Sequence, residues 1–316
     1  MISPMTQAIL MLTAHFSSSE KGTNPLTVKE WGKLTNHLLE NNLRPEQLIN
    51  ADTKALLSNF IDSKITITRI NKLLERGTLM ALVTEKWLRA GIWILNRSEK
   101  EYPTKLKARL GINSPPLLFG FGNKKILNQK KIIGCVGSRK VSKNDLLFSE
   151  GLGELAADEG HSIISGAAKG VDESFMLGSL KAEGTVIGVV SDNLLSKGLS
   201  KIYRQYIENN NLVLVSSVYP ESGFNVGNAM QRNKYIYCIS DAAVIAYSGK
   251  TGGTITGALE NLKKQWVPTW VVKNNDATSG NQEIVNQGGE WISSDLTQID
   301  FKTIFSQTKR QENLEF

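Results

Sequence analysis

At 316 residues, with 41% hydrophobic and 21% charged residues, the chain has the make-up of a globular protein with room for two modest domains, or one large domain with an extension. Its net charge of +7 suits an anionic partner without specifying one. Two cysteines outside any CxxC pair and three scattered histidines argue against a disulfide framework or a zinc site, and no run nears the ~20 apolar residues of a membrane span. The expectation is therefore a cytoplasmic protein without metal or membrane contact.

Residues 1 to about 100 read as helical. The stretch 27–39 places Trp31, Leu34 and Leu38 on one stripe and offers Thr27 and Glu30 as a capping box. Pro45 opens a short helix, and 66–75 and 83–90 continue the pattern. The run 8–12 is short and lacks a preceding basic segment, so it is expected to be neither a signal peptide nor a span. Tyr102-Pro103 and the run PPLLFGFG at 115–122 mark a linker leading to a short extended segment.

From residue 131 the rhythm changes. Apolar runs at 132–137, 162–165, 185–190, 212–216, 242–247 and 267–272 alternate with helical patterns at 143–159, 171–183, 199–210, 229–240 and 255–265. Short apolar strands separated by helices predict a parallel sheet covered on both faces. In such sheets ligands bind beyond the carboxyl ends of the strands, near the switch point of the strand order.

The polar signals sit at those strand ends. Gly137-Ser138-Arg139-Lys140 follows the first strand, and Ser142 with Asp145 forms a capping box that opens the next helix. Ser165-Gly166-Ala167-Ala168-Lys169-Gly170 follows the second strand, and Ser248 to Thr256 follows the fifth. Arg232-Asn233-Lys234 lies within the intervening helix. Glycine turns leading into helix N-termini leave backbone N–H groups free to collect an anion, and arginine adds a bidentate fork. Two enzyme-like readings fail. Gly249-Lys250-Thr251 imitates a Walker A end, but Val244 occupies the required glycine position; the first turn, GCVGSR, lacks the GxGxxG dinucleotide fingerprint.

Five motifs in order carry a resemblance: GSRKVS at 137–142, SGAAKGVD at 165–172, QRNKYI at 231–236, TGGTITGAL at 251–259 and GNQEIVNQGG at 280–289. They resemble the motifs of the DNA-processing protein DprA (Smf) family over roughly residues 100–305. The resemblance implies an α/β architecture, an extended Rossmann-like, doubly wound and mostly parallel sheet preceded by a small helical domain. The expected division is 1–100 helical, 101–308 Rossmann-like and 309–316 polar tail. It also implies single-stranded DNA binding without catalysis or cofactor, a homodimer, and a RecA-type recombinase as a further partner.

On this reading Arg139, Lys169, Arg232 and Lys234 contact phosphate. Gly137, Ser138, Ser165, Gly166, Gly170, Gly253, Thr254 and Thr256 supply backbone or hydroxyl contacts, and Asn233 braces the pocket or meets a base edge. Phe175 and Tyr235 are candidates for stacking on a base, with a core role weighed ahead of it. The family histidine falls on Met176, its SE pair reads Ser217-Val218, and Lys273-Asn274 replaces a PG pair. These departures leave transformation, recombination, mobile-element or defence roles open.

A competing reading on the same fold is a nucleotide sensor, or a phosphoribohydrolase of the LOG type, which Gly252-Gly253-Thr254 faintly resembles. That chemistry needs a carboxylate beside the glycine loop. The nearest acid downstream is Glu260, too far along its helix, and Asp172 and Glu173 sit where first-turn acids serve the dipole.

Overall fold

The computed structural model describes residues 2–17, 22–274 and 276–306; the expected polar tail lies outside the described residues. Nine strands form one sheet in the order β1-β2-β6-β5-β4-β3-β7-β8-β9. They are β1 (Trp93–Asn96), β2 (Leu117–Gly122), β3 (Ile132–Val136), β4 (Ser162–Ser165), β5 (Val186–Val189), β6 (Leu212–Ser216), β7 (Ala242–Ile245), β8 (Thr269–Val272) and β9 (Glu290–Ile292).

The strands from β6 to β9 run parallel, and all of them but the edge strand β9 are buried throughout, as a sheet covered on both faces requires. β3 pairs β4 on one side and β7 on the other, with Ile133 opposite both Ile163 and Ala242. The chain builds outward from β3 to β6, then returns to β7 at β3's other edge. The switch point therefore lies between the carboxyl ends of β3 and β7, and the turn beginning at Gly137 leaves from it.

The capping boxes at Thr27–Glu30 and Ser142–Asp145 form as expected, opening the helices Val28–Glu40 and Lys143–Asp158. The run at 8–12 lies within a helix, Pro4–Thr13, whose N-cap Ser3 accepts from the Thr6 N–H. The helix expected at 83–90 starts earlier, at Gly77, where no side chain caps it and so no polar signal marks the start. Trp87 on this helix meets the Phe119 ring of β2 edge-on at 5.4 Å and donates from Nε1 to Glu221, so the N-terminal helices share a core with the sheet.

The PPLLFGFG segment is more than a linker's end. It forms β2, antiparallel to both β1 and β6. Gly120 is required there, because a Cβ would sit 2.3 Å from the Trp93 ring that crosses it. Among the described residues, no helix is long and apolar enough to cross a membrane.

The helix Phe301–Ser306 is held against the opposite end of the sheet by His161, whose ring meets Phe301 and Phe305 at 5.1 Å each. Burial is the main cause lowering the His161 pKa; nearby Lys131 adds to it and Glu159 opposes it. A folded pKa below the unfolded value means that this contact stabilises above the unfolded pKa, about 6.5, and is lost as pH falls through the folded one. Thermal unfolding followed between pH 7 and pH 5 should show this acid loss, and His161→Phe should flatten it. An unchanged slope in the variant would remove His161 as its origin.

Candidate functional site

An open cavity of about 480 Å³ lies at the switch point. Of the residues singled out above, Gly137, Ser138, Arg139, Arg232, Asn233, Gly253, Thr254 and Thr256 line it. Two turns and one helix thus converge on a single place, which the second turn reaches only through Ala168.

The first turn is shaped by close packing. A Cβ on Gly137 would lie 2.4 Å from the Val171 side chain, so only bare backbone fits. The Gly137 N–H donates to Asp172 Oδ1 at 3.3 Å, and the Ser138 N–H donates to the Tyr247 carbonyl at 2.9 Å. Arg139 and Lys140 follow on the surface. The Arg139 guanidinium stacks over the Phe224 ring at 5.2 Å. A cation there, with no carboxylate contact among the described residues, can turn towards an anion at little cost.

The second turn is mostly scaffold. Ser165 is fully buried and donates through Oγ to the Cys135 carbonyl at 2.7 Å, tying β4 to β3 rather than meeting a ligand. Gly166 makes room for an arginine, since a Cβ would stand 1.3 Å from Arg232 Nη1. Gly170, at φ +99°, lets the chain pass against Ser138 and Arg139 before the helix Val171–Lys181. Lys169 is exposed at the tip of this turn, outside the cavity lining but next to Ala168, which is part of it.

The helix Val226–Ile239 supplies the back wall. Arg232 is 6% exposed, and its Nη1 meets Asp172 Oδ2 at 2.9 Å. The expected phosphate ligand is thus committed first to a buried carboxylate, and Asp172 does more than serve its helix dipole. This one carboxylate joins the first turn to the arginine that fills the second. Asn233 braces the third turn, donating from Nδ2 to the Gly253 carbonyl at 3.1 Å. Lys234 faces elsewhere: it pairs with Glu260 at 3.0 Å and lies over the Trp266 ring, away from the cavity. The third turn ends at Gly252, φ +112°, and opens the helix Gly253–Lys264 without a side-chain cap. Its first N–H groups therefore remain for a ligand beside Thr254 and Thr256.

Phe175 and Tyr235, the stacking candidates, are 0% and 2% exposed and belong to the core. The apolar face of the cavity comes instead from residues the sequence reading passed over. Phe224, Val226 and Met230 line it and are 55%, 64% and 46% exposed. A signal existed: GFNVG is an apolar-bearing loop within a polar connection, where no packing role would demand phenylalanine.

Among the described residues Asp172 is the one carboxylate in the lining, and Arg232 neutralises it, so Arg139 and Lys140 set the local sign. Burial raises the Cys135 thiol's pKa and pushes Cys238 up to about 12, which keeps both from acting as nucleophiles near neutral pH. No cluster of three or more metal-ligating side chains occurs among the described residues.

A family model described as DNA recombination-mediator protein A matches residues 93–301. The DNA processing protein DprA of Bacillus subtilis is 28% identical over 183 residues, which are 55% of this chain and 58% of that protein. The chain thus spans little over half the length of that curated relative. The crystal structure of Streptococcus pneumoniae DprA superposes with a TM-score of 0.60 at 18% identity, covering 87% of this chain and 99% of that one. Helicobacter pylori DprA, whose structure was described for its single-stranded DNA binding mode, gives a TM-score of 0.55 at 20% identity, covering 70% and 96%. Both structural likenesses concern the fold, and they match the mostly parallel sheet described above.

Proposed function

Because the chain belongs to the DNA recombination-mediator protein A family, we propose that its switch-point cavity grips the backbone of single-stranded DNA. The observation that carries this is the convergence of the uncapped N–H groups at the start of the helix Gly253–Lys264, the cations Arg139 and Lys140, and an exposed apolar wall around Phe224 on one open cavity. Phosphates would lie along the turns, where recognition ignores sequence, and unpaired bases would stack towards Phe224. A duplex keeps its bases stacked inside and could not use that wall. The protein's work on this reading is binding, in the cytoplasm, as a homodimer that presents the strand to a RecA-type recombinase.

Fluorescence-anisotropy titration with a labelled strand of about 30 nucleotides, beside the duplex and at two salt concentrations, tests the reading. Salt-sensitive binding that favours the single strand supports it. No binding at low salt rejects it in favour of a small nucleotide, which the volume of about 480 Å³ would also accommodate. Within the DNA reading, Phe224→Ala should weaken single-strand binding by about 1–3 kcal/mol and narrow the preference over duplex, with little change in salt slope. An unaltered preference would show that the wall does not meet bases.

A further inference from the structure

A second concave surface, of about 430 Å³, lies on the helical segment, away from the switch point. Its floor is aliphatic: Met5 and Ile9 come from the helix Pro4–Thr13, Leu38 from Val28–Glu40, and Leu43 from the turn after it. Leu39 and Ile112 stand on its edge, 71% and 45% exposed. Among the described residues the same lining holds three cations, Arg44, Arg97 and Lys107, and no aspartate or glutamate.

Those cations are poorly compensated. Arg97 Nη1 donates to the Ile112 carbonyl at 3.4 Å, and Lys107 Nζ to the Arg97 carbonyl at 3.2 Å; neither makes an ion pair among the described residues. Burial depresses the Arg97 pKa, the mark of a half-sunken charge lacking a counter-ion. Arg44 reaches Glu46 only at 4.0 Å with its side chain 75% exposed, and Glu99, near Arg97 in sequence, accepts from Asn96. Exposed leucine and isoleucine beside cations of which only Arg44 has a distant carboxylate leave apolar area and positive charge weakly satisfied together.

We propose that this groove docks an acidic peptide of a partner protein, seating one bulky apolar side chain on the aliphatic floor and its carboxylates against Arg44, Arg97 and Lys107. Nucleic acid fits it less well. Bases seek exposed ring faces, and the lining's one aromatic side chain, Trp31, is 2% exposed. The helices that supply the floor precede residue 93, where the family model begins to match, while Arg97, Lys107 and Ile112 lie inside the matched span; the groove is separate from the switch-point cavity, so the proposal does not rest on the DNA reading.

The test uses the whole chain and a fluorescein-labelled peptide, Glu-Asp-Glu-Asp-Gly-Leu-Phe, read by anisotropy. Two controls replace its Leu-Phe by Gly-Ser or its four acids by lysine. Saturable binding should fall by about tenfold or more for each control and for Lys107→Glu, while Arg139→Ala leaves it unchanged. Arg97→Gln should act in the same direction; should that variant fold poorly, Ile112→Asp, at an exposed edge position, replaces it. Absent saturation, or equal binding of all three peptides, overturns the proposal. Displacement of the peptide by an unlabelled oligonucleotide, with Lys107→Glu weakening the strand itself, would also overturn it and make the groove a nucleic-acid path.

Discussion

Arg139→Ala is expected to lower affinity for single-stranded DNA by about 10- to 100-fold, the loss of one charge-assisted contact worth roughly 1.5–3 kcal/mol. The guanidinium is exposed, stacked on Phe224, and makes no ion pair among the described residues, so its removal leaves no buried charge and the fold intact. Loss should be similar for every base composition, and the salt slope should shrink by about one. Lys169→Ala should act in the same direction but more weakly, since Lys169 stands beside the cavity rather than in it. The double variant should sum the two losses. Lys234→Ala is the internal control: its ammonium is taken by Glu260 and its affinity should stay within about twofold of the parent. Unchanged affinity in both Arg139→Ala and Lys169→Ala, with circular dichroism unaltered, would dismiss the site assignment.

These variants also mark how much of the site was legible beforehand. The parallel strands from β3 to β8 and the helices between them follow from period and composition, because a strand buried on both faces has to be apolar throughout. β1 and β9 escape that logic: they are four and three residues long and half covered, so their patterns carry little signal. Glycine turns disclose where backbone approaches a ligand, yet their neighbours' roles depend on where each side chain points. Arg232 and Lys234 stand two residues apart on one helix, so one turns into the protein and the other outward; adjacency in a motif implied a shared task that helix geometry forbids. Ser165 reads as a hydroxyl at a strand end, and only its depth reveals that Oγ is spent on Cys135. Phe224 was marked only by an apolar residue in a polar connection, and for the converse reason its role stayed unread. Exposure, which makes it useful, is a tertiary fact.

The largest effect on stability is expected from Asp172. Its carboxylate is 3% exposed and holds Arg232 Nη1 at 2.9 Å through Oδ2 and the Gly137 N–H at 3.3 Å through Oδ1. Asp172→Ala removes both bonds and strands a guanidinium that is itself 6% exposed, and whose Nε already has no partner. Breaking a buried pair from one side costs about 3–5 kcal/mol, which corresponds to a fall in melting temperature of roughly 6–15 °C. Asp172→Asn keeps the shape and an acceptor but not the charge, and should lie between. The double variant Asp172→Leu/Arg232→Met replaces the pair by apolar groups of similar bulk, and should recover most of the lost stability, because no charge is then left buried. Its DNA affinity should stay low all the same, since neither the tie on Gly137 nor the guanidinium on the cavity wall returns with it. Scanning calorimetry beside anisotropy separates the two consequences. Full stability in Asp172→Ala would mean that Arg232 is held by something other than this pair. Recovery of affinity together with stability in the double variant would mean that the pair serves the fold alone, and that the turns find their places without it.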